Sequence, residues 1–193
     1  MTNANTSFQI ILEATEELIR EKGCRQTTLQ DIISETGLSK GAIYHYVSGK
    51  DELFGLLMKS RIEQVNARFK AVVSDQHASG LRNPLQLIAE AMVQTSHHAD
   101  VTNKIFIYLL SQMDNTKVSA IVQGVYYYTL ETCIRWICEG QEAGVIPAQA
   151  DNRKIATAML SFMYGLRVQH TIRQDIGSMT AEEIIQLMSR ALQ

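Results

Sequence analysis

Residues 27–53 read TTLQDIISETGLSKGAIYHYVSGKDEL, and this stretch limits the fold more tightly than any other. Helix start and stop signals crowd into it. Thr28 precedes Asp31 by three positions, a capping-box-like start with Asp in place of Glu. Gly37 turns the chain, because glycine takes positive φ without steric cost. Ser39 supplies a second cap and Ser48 a third, the latter with Asp51 at its N3 position. The pattern predicts a helix over about residues 29–35, then a turn through ETGLS, then a second short helix. Leu29, Ile32 and Ile33 form the apolar face of the first. In the second, steps of about 100° per residue from Ile43 put Val47 beside it and inward. Gly41 and His45 then fall on the opposite face, flanked by Ala42 and Tyr44, with Tyr46 nearer the buried side.

Two short helices around a turn are a helix-turn-helix pattern. A glycine inside the second costs about 1 kcal/mol relative to alanine. What it returns is a close approach of backbone to phosphate, at a helix start whose N–H groups favour anions. Tyrosine hydroxyls donate to phosphate oxygens, and histidine donates to phosphate or to a base edge. Thr27 and Thr28 from the first helix, and Lys50 just past the second, are further phosphate candidates. Tyr46 has two readings, a DNA contact or packing against the next helix, and Ser39 and Thr28 are caps before they are ligands.

The same residues closely resemble the signature of TetR-family transcriptional regulators: paired threonines followed by D-I, then G-L-S, S-K-G-A-I-Y-H-Y, and the K-D-E-L exit. The family pattern usually has alanine at Ile33 and Thr36 and phenylalanine at Val47, positions that concern packing between helices. The specific resemblance covers about residues 8–55. It implies an all-α chain of about nine helices: a three-helix DNA-binding domain, a linking fourth helix, and a larger helical domain that binds a small molecule and dimerises. The expected division is residues 1–50 for DNA and 51–193 for effector and dimer. The DNA-contacting set is Thr27, Thr28, Ser39, Lys40, Gly41, Ala42, Tyr44, His45, Tyr46 and Lys50. The implied partners are a near-palindromic duplex operator, a small-molecule effector and a second copy of the chain.

Periodicity outlines the remaining helices. Phe8, Ile11, Leu12, Thr15 and Ile19 share one face of a first helix that Gly23 stops. Leu53, Phe54, Leu57, Ile62 and Val65 line a fourth. Residues 74–83 read as a loop, with Pro84 in the first turn of a fifth helix near 84–97. A sixth is expected near 101–113 and a seventh near 116–143, ending at Gly144 and Pro147. Asp151 or Asn152 opens an eighth, and Thr180 with Glu183 forms a capping box for a ninth that ends near Leu192.

Met92, Phe106, Met113, Tyr126, Tyr127, Trp136, Met159 and Phe162 are candidates for an effector pocket, since methionines and polar-tipped aromatics suit adaptable cavities. Tyr126, Tyr127 and Tyr128 span too wide an arc for all to be buried. Phe162, Gly165, Leu166, Ile184 and Met188 are candidates for a dimer interface, because the eighth and ninth helices carry more apolar residues than one face of each needs. The formal charge of −2 requires any DNA-binding charge to be local, and residues 36–50 hold Lys40 and Lys50 without an acid. Adjacent histidines 97 and 98 do not face one another along a helix, and no cluster has metal-ligand spacing. Neither a phosphate-binding glycine loop nor a G-x-S-x-G motif occurs. A helical enzyme and a protein-interaction module are the rival readings, and no convergent acid, base or nucleophile favours the first. No metal or cofactor is called for. Three cysteines in no C-x-x-C, and a start without a basic leader, lead to an expectation of buried thiols and a cytoplasmic protein.

Overall fold

Local signals set most helix ends. In the computed structural model, which describes residues 2–74, 82–142, 144, 146–173 and 179–191, the described residues form nine helices and no strand. They are α1 Thr2–Gln26, α2 Leu29–Thr36, α3 Lys40–Tyr44, α4 Lys50–Ser74, α5 Arg82–Ser96, α6 Val101–Leu110, α7 Thr116–Glu142, α8 Asn152–Ile172 and α9 Ala181–Ala191. The all-α class expected from sequence is the class observed. Of the loop expected at 74–83, residues 75–81 lie outside the described residues, as does Leu192 at the expected end of the last helix.

The capping boxes form at both predicted places. Thr28 Oγ1 accepts from the Asp31 amide at 3.2 Å while Asp31 Oδ2 accepts from the Thr28 amide at 2.8 Å. Thr180 and Glu183 do the same at 3.2 and 2.8 Å. Gly37 ends α2 in the left-handed region at φ 64°. Gly23 interrupts α1 at φ 78°, ψ 166°, and one further turn follows it to Gln26. At α4 the reciprocal partner differs from the expected one. Ser48 bonds Glu52, whose Oε2 accepts from the Ser48 amide at 2.7 Å and its hydroxyl at 2.8 Å. The helix begins one residue later than a Ser48 cap would start it, so Glu52 takes the N3 position and Asp51 is released for another contact.

The chain packs into two units. The first holds Met1–Met58 and Val101–Gly124, the second Lys59–Asp100 and Val125–Gln193, so α4 and α7 each contribute to both. This packing division is discontinuous in sequence, unlike the functional division expected at residue 50. In the first unit Ile11, Leu12, Ile19, Ile32, Ile43, Val47, Leu53, Phe54 and Leu57 are buried, and α1 packs on α2 and α6. These are the faces that periodicity assigned. In the second, α5 packs on α8 and α9. Its core includes Phe69, Ile88, Met92, Leu130, Ile137, Leu160, Leu166, Ile184 and Met188. Trp136 stacks on Phe69 at 5.1 Å and donates to Asn66 Oδ1 at 3.0 Å, which satisfies its buried N–H.

Candidate nucleic-acid interface

The α3 segment is short, but its hydrogen bonding continues past its last residue. The His45 amide donates to Gly41 O at 3.0 Å and the Val47 amide to Ile43 O at 3.3 Å. That extra turn keeps Val47 on the face of Ile43, and both are buried. The opposite face is open. Lys40, Gly41, Tyr44 and His45 are exposed, Tyr44 by 46%, and Ala42 is half-buried. Lys40 Nζ lies 5.4 Å from the Tyr44 ring centroid, a cation–π contact that keeps the charge on this face. A Cβ at Gly41 would meet only Ser39 Oγ, at 3.9 Å. The missing side chain therefore relieves nothing inside the protein; it leaves the outward surface low. Ser39 Oγ accepts from the Ala42 amide at 3.2 Å, so the cap uses its acceptor and not its proton.

Four of the expected contacts are placed differently. Thr27 is fully buried and donates its hydroxyl to Gly23 O at 2.9 Å, closing the turn after the kink. It is a structural residue, not a phosphate ligand. Lys50 Nζ donates to the carbonyls of Cys24, Arg25 and Thr27 at 3.0, 3.1 and 3.0 Å. Its three N–H groups thus meet three main-chain acceptors at the end of α1, where unpaired carbonyls attract a cation. In this arrangement its ammonium is committed to the protein's own main chain. Tyr46 is half-buried, with its ring 5.2 Å from Phe8 of α1, so it packs inside the head. Thr28 is exposed, but its hydroxyl donates to Asp31 Oδ2 at 2.7 Å as part of the cap.

Lys22 Nζ reaches the same Asp31 oxygen at 2.8 Å and bridges α1 to α2. Hydrogen bonds from Lys22, then from Thr28, lower the Asp31 pKa to about 2. Cys24 is buried, and burial raises its thiol to about 11, so it stays protonated and structural. Cys133 is likewise buried and raised to about 12, while Cys138 is half-buried and accepts from Asn152 at 3.1 Å. Sequence reasoning missed Lys22, Asp51 and Tyr108 as supports of this head. Each acts across a tertiary contact that helical spacing does not encode.

The pocket candidates divide between the units. Phe106 and Met113 fall in the first; Met92, Tyr126, Tyr127, Trp136, Met159 and Phe162 fall in the second. Met113 and Tyr127 are exposed, Tyr127 by 56%, so neither lines an interior. Tyr127 is the most exposed member of the tyrosine run. Three interface candidates, Leu166, Ile184 and Met188, are consumed by the core of the second unit, whereas Phe162 is half-buried and Gly165 exposed. Among the described residues no group of three or more His, Cys, Asp or Glu is arranged to hold a metal, and no helix is long and apolar enough to cross a membrane.

A helix-turn-helix whose second helix keeps one open, ringed and cationic face has the architecture of a DNA-binding domain. Residues 11–57 match the family model described as "Bacterial regulatory proteins, tetR family". The chain is similar to the HTH-type transcriptional regulator UidR of Escherichia coli (strain K12), with 21% identity over 166 residues, 86% of this chain and 82% of that one. Among solved structures it resembles a TetR-family transcriptional regulator from Syntrophomonas wolfei, with TM-score 0.68 and 19% identity, covering 97% of this chain and 93% of that one. It also resembles FadR from Bacillus subtilis, crystallised with stearoyl-CoA, with TM-score 0.60 and 17% identity, over 96% of this chain and 95% of that one. At these identities the structural likeness speaks for the fold. Residues 11–57 thus match the DNA-binding segment of the tetR family, and the relatives that the chain resembles over most of its length are transcriptional regulators.

Proposed function

We propose that the chain is a homodimeric repressor that a small molecule releases from a near-palindromic operator. The observation that carries this reading is the open α3 face: an exposed Lys40, Gly41, Tyr44 and His45 over a buried Ile43 and Val47. Residues 1–50 read DNA in this scheme, and residues 51–193 bind effector and dimerise. One such helix reads only a few base pairs, too little for a useful specificity ratio in a genome, so two copies are needed.

The surface of α8 supports the second copy. Ala158, Ser161, Gly165, Val168 and Ile172 are all exposed and recur at spacings of three and four. Ile172 is 75% exposed, and a Cβ at Gly165 would meet nothing within 4 Å. With exposed Leu187 of α9, this stripe replaces Leu166, Ile184 and Met188 as the proposed interface.

The interior of the second unit supports an effector. Tyr164, Arg167 and His170 recur every three residues on α8, with Arg167 and His170 buried. Burial raises Tyr164 to about 12 and lowers Arg167 from its ordinary value. Tyr164, 6.3 Å from the Tyr126 ring, packs with Met159 and Phe162 on the core that holds Met92, and buried polar groups beside such an apolar core suit a ligand with both an apolar body and a polar end. FadR, similar in fold, was solved with stearoyl-CoA, a molecule of that general kind. An effector that prefers a conformer with wrongly spaced heads would shift population away from the DNA-bound state.

Selection from a random duplex library by the full chain tests the reading. The expected consensus is a near-palindrome with half-site centres roughly 34–36 Å apart, or somewhat more where the DNA adjusts. A single asymmetric half-site, bound by a monomer, would overturn it.

A further inference from the structure

Lys50 and Tyr108 form a clasp at the base of the head. The three carbonyl bonds of Lys50 join the end of α1 to the first residue of α4. Everything between them, α2, the turn and α3, is therefore tied at both ends. From the other side α6 arrives, packed on α1. The Tyr108 ring centroid lies 5.3 Å from Lys50 Nζ, and the Tyr108 hydroxyl donates to Asp51 Oδ1 at 3.1 Å. Phe54 meets the same ring edge-on at 5.6 Å. Burial raises the Tyr108 pKa, so the hydroxyl keeps its proton and remains a donor. Asp51 is free to take this bond because Glu52, and not Asp51, closes the cap with Ser48.

We propose that Tyr108 is a positioning residue for DNA binding, acting through Lys50 and Asp51 to hold α3 at the angle a groove requires without touching DNA itself. The clasp is local to the first unit, and it joins one ammonium, one carboxylate and two rings, with the Gln112 side chain also beside the Tyr108 hydroxyl. Loss of the ring uncovers the ammonium, and loss of the hydroxyl leaves Asp51 without its donor. Both changes loosen the end of the segment that carries α3. Misalignment costs base contacts more than phosphate contacts, because base edges are read by directional hydrogen bonds and phosphates are met by charge. The proposal rests on α3 being the DNA-reading helix, and selection of a duplex by the wild-type chain tests that reading separately.

The experiment compares wild type, Tyr108→Phe, Tyr108→Leu and Lys50→Met as full chains. Each is titrated with the duplex that wild type selects and with an unrelated duplex, over a series of salt concentrations, where circular dichroism shows the protein folded. The ratio of the two affinities is expected to fall about tenfold in Tyr108→Leu and about threefold in Tyr108→Phe, with the salt slope unchanged. A ratio equal to that of wild type in Tyr108→Leu overturns the proposal. So does a Lys50→Met variant that loses about one unit of salt slope at constant ratio, the signature of a plain phosphate contact. Should Tyr108→Leu fail to fold, Tyr108→Phe keeps the ring and its packing and carries the same test.

Discussion

At the residue scale, the outward face of α3 separates binding from stability. Gly41→Ala adds a methyl that meets only Ser39 Oγ at 3.9 Å. Helix propensity then stabilises the fold by up to about 1 kcal/mol. In the proposed reading the same methyl stands where DNA approaches, so operator affinity is expected to fall while the melting temperature holds or rises. Paired calorimetry and gel-shift measurements check this; a variant with unchanged affinity would leave Gly41 without a binding role. His45→Ala is expected to change the selected consensus, with about 1 kcal/mol of discrimination lost at one position, the low end for base contacts because histidine is not bidentate. An identical consensus from both proteins would confine His45 to the backbone. Asp31 gives a pH prediction. Its folded pKa, about 2, lies below the ordinary value of 3.8, so its contribution is complete above about pH 4 and is lost as pH falls toward 2. An acid titration followed by circular dichroism should show Asp31→Asn less stable than wild type at neutral pH and the difference vanishing near pH 2.

At the element scale, α4 is held twice along its length. Near its start Tyr108 reaches Asp51, within the first unit. Further on, Tyr128 donates to Glu63, and Trp136 donates to Asn66 at 3.0 Å, within the second. Lys59 Nζ lies 5.9 Å from the Tyr128 ring, much as Lys50 faces Tyr108. The α8 helix shows the other consequence of having two faces. Leu166 is 4% exposed and belongs to the core, whereas Val168 and Gly165 stand outside it. Val168→Asp or Gly165→Glu is expected to give a folded monomer that no longer retains its palindrome, as read by sedimentation and gel shift. Leu166→Asp, in contrast, buries an unpaired charge and is expected to unfold the second unit. A dimeric Val168→Asp/Gly165→Glu double variant would remove α8 from the interface.

At the scale of the whole molecule, a net charge of −2 coexists with the proposed DNA-binding face. The charge that matters is local and small, so non-specific affinity should be modest and specificity must come from paired heads and directional contacts. The single tryptophan, Trp136, is buried in the second unit, which makes its emission a reporter of that unit alone. An effector bound there is expected to shift that emission and raise the fluorescence-detected melting temperature as its concentration exceeds its dissociation constant. The same concentrations should release DNA. A molecule that stabilises the unit and leaves DNA binding untouched would be a ligand but not an effector.

Much of the fold was legible in the sequence because it rests on local rules. Capping boxes at Thr28 and Thr180, the left-handed glycine at 37 and the inward pair Ile43 and Val47 depend on residues within about one helical turn of each other, and their chemistry repeats wherever the pattern occurs. The open face of α3 followed from the same periodicity. The destinations of long side chains did not. Lys50 looked like a phosphate ligand by position, yet its acceptors lie 23 to 26 residues away, at a helix end that only the folded chain brings near. Thr27 and Tyr46 were turned inward by the kink at Gly23 and by Phe8. Leu166, Ile184 and Met188 were claimed by their own subunit's core, because the side of an amphipathic helix that is covered depends on its neighbours and not on its own pattern.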